Sequence, residues 1–352
     1  MHSNSEKNTV KRRKIRSLLR MLLYLAIILF IFWLLFVLFF PFFYGREEMK
    51  ENKLLKNVES LSKLDVLPIF PDKSNEQNGF SDKPPEESEN GRLLDLEERD
   101  EFQPDMKDLL KERELSFKNV EALFENVKAP KDLDRSHSTY GKEVVYVYHT
   151  HSRESFLPYL KYTDQPEDAF HPKANITLVG EMLERALERR GIGTKANSVD
   201  IVEELDAKGL KYGSSYLLSR DHVRAAKKAN KDLDIFLDIH RDSLRKSSTT
   251  IEKNGEKYAR MLFVVGTGHE DYEKNLSFTE GLHQQINAKL PGLSKGILTK
   301  DSSQGNGVYN QDLAPRSVIV EMGGVDNTAE EISRTVEVFA NALSDYYWHG
   351  EK

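Results

Sequence analysis

The chain has 352 residues, a formal net charge of -6, ten histidines and no cysteine. Its length and ordinary balance of apolar (39%) and charged (31%) residues point to one good globular core with attachments. The missing cysteine excludes disulfides, thiolate metal sites and cysteine nucleophiles, so a metal would have to rest on imidazole and carboxylate. With basic residues massed only at the extreme N-terminus, a nucleic-acid partner finds no support.

Residues 1–20 form a basic tail that carries Lys7, Lys11, Arg12, Arg13, Lys14, Arg16 and Arg20. Residues 21–44 carry no charge, with Trp33 mid-span and Tyr24 and Tyr44 near the ends. At about 1.5 Å per residue, such a stretch is long enough to cross a bilayer core of about 30 Å. The basic tail places the N-terminus in the cytoplasm and everything after Tyr44 outside the cell membrane. A cleaved signal peptide has an apolar region of at most about 15 residues and small residues before the cut. Here the run is longer and closes in Phe39-Phe40-Pro41-Phe42-Phe43-Tyr44, so an uncleaved, single-pass transmembrane helix is expected.

Residues 45–140 turn acidic and polar, with Pro68, Pro71, Pro84, Pro85 and Pro104 and the run Glu86-Glu87-Ser88-Glu89-Asn90-Gly91. This reads as a largely disordered tether. Stretches 54–67 and 106–127 show apolar residues at helical spacing, so the tether is expected to be partly helical.

Residues 141–352 switch to short apolar runs alternating with amphipathic stretches. That pattern predicts an α/β domain: an open, twisted, mainly parallel sheet with helices on both faces. Strands are predicted at 144–148, 193–196, 235–239, 260–265 and 317–320, and helices at 176–190, 214–229 and 275–289. A last helix should follow Asn327, opened by a capping box of Thr328 and Glu331, with apolar positions running from Ile332 to Leu343.

In open parallel sheets, ligands bind outside the carboxyl ends of the strands. Three predicted strands run there into His149-Thr150-His151-Ser152-Arg153-Glu154, into His240-Arg241-Asp242 and into Glu321. Two histidines and a glutamate converging on one sheet edge suit a zinc (Zn2+) site with a carboxylate nearby to move a proton. His151 and His240 are the preferred ligands and Glu321 the catalytic carboxylate. For the third ligand His171, just ahead of the first helix, is preferred to Glu154, which could instead orient a histidine from behind. His149 stands two residues before His151 and would face the same way in an extended chain. Arg241 and Asp242 could bind a peptide carboxylate or form a plain salt bridge. The polar loop 302–309 could line a substrate groove. No Gly-Lys-Ser/Thr phosphate loop, Gly-x-Ser-x-Gly elbow or His-Glu-x-x-His motif is present.

Taken together, Tyr148-His149-Thr150-His151-Ser152-Arg153-Glu154-Ser155-Phe156-Leu157-Pro158, Asn175-Ile176-Thr177-Leu178-Val179-Gly180, Asp238-Ile239-His240-Arg241-Asp242 and Val320-Glu321-Met322-Gly323-Gly324 resemble the stage II sporulation protein P family of endospore-forming bacteria. The resemblance spans about the last two hundred residues. It implies a zinc-dependent N-acetylmuramoyl-L-alanine amidase acting on peptidoglycan during engulfment of the forespore, and leaves open an added endopeptidase activity. By the same resemblance His151 and His240 match the family's metal-binding histidines and Glu321 its catalytic glutamate. More distant zinc amidases place a glutamate as the middle ligand, and that place falls nearest His171 here. Implied partners are stage II sporulation proteins D and M. Two other readings compete: a wall-binding scaffold without catalysis, and an envelope zinc peptidase acting on proteins.

Overall fold

The computed structural model describes residues 103–125 and 136–350. The basic tail, the expected membrane helix and the tether before residue 103 lie outside the described residues. Among the described residues, no helix is long and apolar enough to cross a membrane.

Six strands make one sheet: β1 (Glu143–Tyr148), β2 (Gly193–Ala196), β3 (Ile235–Asp242), β6 (Met261–Gly266), β7 (Ser294–Lys300) and β8 (Arg316–Gly324). Their order is β2-β1-β3-β8-β6-β7. β2, β1, β3 and β8 are mutually parallel, whereas β6 runs antiparallel to β8 and β7 parallel to β6. The sheet is therefore mainly parallel, as its sequence pattern predicts, with one antiparallel pairing between β6 and β8. A parallel return needs a crossover of a dozen or more residues, usually a helix. Between β3 and β6 the chain makes only a short helix (Lys246–Thr249) and a hairpin of β4 (Thr250–Lys253) and β5 (Glu256–Ala259), so β6 starts at the sheet end where β3 stopped.

The longer helices match their predicted positions to within a few residues: Thr177–Glu188 (α1), Ser215–Ala229 (α2), Tyr272–Lys289 (α3) and Ala329–His349 (α4). The capping box is present at the start of α4, with the Thr328 hydroxyl accepting from the Glu331 amide and the Glu331 carboxylate from the Thr328 amide. Side chains alternate across each strand, and this sorts the core. Val145, Val147, Leu237, Ile239, Phe263 and Val320 pack with Leu183, Leu282 and Phe339 of α1, α3 and α4. On the other face Tyr146, Tyr148 and Phe236 meet Val223 of α2, while Val264 and Ile319 meet Tyr216 and Tyr309. Helices thus cover both faces, and each fully buried apolar side chain contributes about 1.5–3 kcal/mol.

Residues 103–125 pack on this body. Leu109 is buried against Ile201, Leu205 and Tyr212, and Val120 and Phe124 join the main core. Two short helices, Met106–Leu110 and Glu121–Glu125, fall inside the stretch whose spacing suggested helix.

Candidate metal centre

The chain moves to β2 on one side of β1 and later to β3 on the other, so a crevice opens beyond the ends of β1 and β3. The segment after β1 is pinned there by polar groups. The Thr150 amide donates to Asp238 Oδ1 (2.8 Å) and its hydroxyl to Asp238 Oδ2 (2.6 Å). Arg153 forks onto Asp200, with Nε 2.9 Å from Oδ2, and donates from Nη1 to the Leu109 carbonyl. Asp200 also caps the short helix Ile201–Ala207. Glu154 forms a lone antiparallel bridge with Phe170, and its carbonyl accepts from the Ile176 amide (2.7 Å). The chain at Glu154 is thereby fixed between α1 and the 169–171 segment.

β3 and β8 run farther than their apolar stretches suggest, so His240 and Glu321 lie within the strands, side by side in register. Neighbours in register project to the same face, about 4.7–4.9 Å apart across the ladder. His151 Nδ1 lies 3.3 Å from Glu154 Oε1, and His240 Nδ1 lies 3.6 Å from Glu154 Oε2. The two imidazoles meet edge to face with centroids 4.8 Å apart. One ligand atom from each of His151, Glu154 and His240 can be chosen so that all lie within 4.8 Å of one another, the one such group among the described residues. Tetrahedral zinc with bonds of about 2.0–2.2 Å sets neighbouring donors about 3.3–3.6 Å apart. The donor set fits that cation in type, and the two histidine–carboxylate distances fall at that spacing.

Aromatic and backbone groups hold the cluster. His151 stacks on Tyr212 (4.6 Å) and meets Tyr216 edge-on, and Tyr216 leans on Tyr309. The Arg241 amide donates to Glu154 Oε2 (2.9 Å). Burial works to raise the Glu154 pKa, but His240 and His151 outweigh it and hold the carboxyl far below the usual range. Burial opposes charge on His240, yet the Asp238 and Glu154 carboxylates together raise its pKa well above that of free histidine. Glu321 goes the other way: burial pushes its pKa up to about 8, His240 pulls against this, and Glu154 and Asp242 add to it. Its Oε2 is buried with no hydrogen-bond partner.

The structure brings Glu154, and not His171, to the two histidines. His171 Nδ1 accepts from the amides of Lys173 (3.0 Å) and Ala174 (2.9 Å), and the ring also hydrogen-bonds the Arg113 backbone. It shapes the loop that backs Glu154. His149 does not face the same way as His151, because the chain leaves the extended conformation at Thr150. Its Nδ1 bonds the Ile239 carbonyl (2.9 Å), and burial lowers its pKa to about 4. Arg241 donates from Nε to the Ser155 carbonyl and from Nη2 to the Ala169 carbonyl, and Asp242 pairs with Lys295 (3.2 Å). The end of the polar loop supplies Tyr309 to the aromatic wall.

His149 Nε2 sits against α1 so closely that a Cβ added at Gly180 would lie 2.3 Å from it. Gly→Ala inside a helix ordinarily gains about 1 kcal/mol. Gly180→Ala is expected instead to destabilise by about 1–3 kcal/mol through overpacking. Chemical denaturation measures it, and a neutral or stabilising result would mean that the His149 ring is not held where it lies.

Two features of the site went unpredicted. Asp238 interrupts the apolar run Ile235-Phe236-Leu237-Asp238-Ile239, and a charge inside a central strand is itself a signal. Tyr212 and Tyr216 carry no such mark, because an aromatic residue beside a helix start usually reads as core.

A mixed α/β domain with a candidate His-Glu-His metal centre at the edge of its central strands is the class that fold and site define. The chain belongs to the stage II sporulation protein P family, whose model matches residues 49–344. It is 44% identical over 253 residues to stage II sporulation protein P of Bacillus subtilis (strain 168), a match covering 72% of this chain and 63% of that protein. The chain thus matches less than two thirds of the relative's length. Among solved structures it is similar to an N-acetylmuramoyl-L-alanine amidase from Clostridium difficile 630, at 12% identity and a TM-score of 0.33, over 59% of this chain and 97% of that one. A metallo-carboxypeptidase from Burkholderia cenocepacia gives the same identity and TM-score, over 59% of this chain and 58% of that one. At that level of superposition neither likeness bears on the chemistry.

Proposed function

We propose that this domain is a zinc-dependent N-acetylmuramoyl-L-alanine amidase that cuts the amide between glycan and stem peptide in peptidoglycan. The observation that carries the reading is the meeting of His151, Glu154 and His240 beside Glu321, whose Oε2 is buried and unpartnered. Held by those three side chains, a divalent cation would polarise an amide carbonyl and lower the pKa of a water molecule. Glu321 supplies the proton traffic: ionised, it takes a proton from the attacking water, and protonated, it passes that proton to the departing amide nitrogen. In the metal-free chain burial raises this carboxyl to about 8, and a divalent cation beside it would draw that value down toward the range in which a general base works. Tyr212 and Tyr216 keep the His151 ring in place, and the Arg241 amide keeps Glu154 turned toward both histidines.

In the same reading, residues 21–44 anchor the chain in the cell membrane and leave the domain outside, at the wall that is remodelled during forespore engulfment. The uncharged span behind a basic tail and the family membership support that placement. Stage II sporulation proteins D and M as partners, and endopeptidase activity toward cross-links, rest on the family alone.

Purified full-length protein incubated with wall sacculi, with and without a chelator, tests the reading. Intact stem peptides with a newly freed L-alanine amino group should appear, stop on chelation and return with zinc. Binding without release would make the protein a wall scaffold. An inert wall together with a cleaved envelope protein would make it a peptidase.

A further inference from the structure

We propose that Asp238 is a positioning residue for the cation site: it receives the Nε2–H of His240 and so leaves Nδ1 as the lone pair turned toward Glu154 and His151. The inference rests on the metal reading above and adds a role for a residue that neither binds the cation nor touches substrate.

Asp238 is wholly buried in the central strand β3, between the core residues Leu237 and Ile239. A carboxylate in such a place is costly unless its oxygens are satisfied. Thr150 satisfies much of the demand, by its amide to Oδ1 and its hydroxyl to Oδ2. The Thr150 hydroxyl also lies 2.8 Å from Ser219 Oγ, which receives Asn310 Nδ2 at 2.9 Å. A hydroxyl has one proton to give. With Thr150 giving its proton to the carboxylate, Ser219 must give its own to Thr150, and the amide of Asn310 feeds Ser219. The row of donors therefore runs one way, from Asn310 to Asp238, and ends on the oxygens of its side chain.

The remaining group at that acceptor is His240, whose Nε2 lies 3.0 Å from Asp238 Oδ1. The contact falls short of hydrogen-bond geometry, so Nε2 is buried without a formed partner, and Asp238 Oδ1 is an acceptor already within reach of its proton. The opposite ring nitrogen, Nδ1, faces Glu154. A neutral imidazole has one N–H and one lone pair, so a proton fixed on Nε2 determines which atom is left to bind a cation. Histidine ligands commonly have their second nitrogen held by a carboxylate in this manner, which sets the tautomer and strengthens the donor.

Zinc affinity of the full-length chain, read by competition with a chromogenic chelator, tests the assignment. Asp238→Asn keeps the shape and one acceptor but removes the charge, and about a 10–100-fold weaker affinity is expected. Nitrogen-15 spectra of histidine-labelled, zinc-loaded wild-type chain should show the His240 proton on Nε2, a readout that survives if the variant does not fold. A folded Asp238→Asn chain with wild-type affinity, or a proton on Nδ1, would overturn the proposal while leaving the metal site standing. Failure of the wild-type chain to bind stoichiometric zinc would instead remove the metal reading and this proposal with it.

Discussion

Glu321→Gln is expected to leave zinc bound and to lower turnover on wall sacculi by about 10²–10⁴-fold, the usual worth of a general acid–base group. Glutamine has the same shape but cannot give or take a proton. Glu321 stands beside His240 in register, yet it is outside the group whose donor atoms share one small pocket. His240→Ala, by contrast, should lose zinc and activity together. Elemental analysis and stem-peptide release separate the two variants. A metal-free Glu321→Gln chain would make Glu321 a ligand, and a fully active one would end its role as proton carrier. The same substitution carries a stability signature in the metal-free chain. The Glu321 pKa lies near 8 in the folded state against an ordinary value of 4.5, so between those pH values the folded chain holds the extra proton. Stability contributed by that group is present below pH 4.5 and lost as pH rises toward 8. Glutamine removes this dependence, and Glu321→Gln should therefore gain stability relative to wild type as pH rises through that window.

Much of the domain was legible because its core obeys simple periods. The apolar run of β3, the spacing in α1 and the Thr328–Glu331 cap fix local structure whatever lies around them. The direction of β6 was not legible, since an apolar strand carries no mark of the sense in which it is paired. The hairpin before it was, and went unread: Asn254-Gly255, both at positive φ, join β4 to β5 and form a strong hairpin signal. β7, broken by Lys295, Gly296 and Lys300, was too polar to stand out, and the helix Ile201–Ala207 was too short. At the site, His151, His240 and Glu321 could be read from their places at the ends of apolar runs. The middle member of the cluster could not, because Glu154 reaches the pocket through a chain reversal at 150–153 and a bridge to Phe170 that lies sixteen positions further along. His171 looked as good in a linear view. Only the fold shows that its acceptor nitrogen is committed to its own loop.

That difference gives the second large effect. Glu154→Ala should weaken zinc binding by more than the roughly 10–100-fold that removal of an outer partner costs, because a donor itself is lost. It also leaves His151 and His240 without the carboxylate between them, so the two rings no longer have a charge that draws both toward one point. His171→Asn should keep wild-type zinc stoichiometry and affinity. An asparagine side-chain oxygen can accept the Lys173 and Ala174 amides as Nδ1 does, so the loop behind Glu154 retains its turn. Chelator competition on the two variants side by side is the measurement. If His171→Asn lost zinc while Glu154→Ala kept it, the 169–176 segment would have to swing inward on metal binding. The Phe170–Glu154 bridge, the His171 amide bond to Arg153 and the Ile176 amide bond to Glu154 would all have to break to allow it. Three backbone contacts in one short segment make that rearrangement costly, whereas Glu154 needs no movement of the backbone to serve.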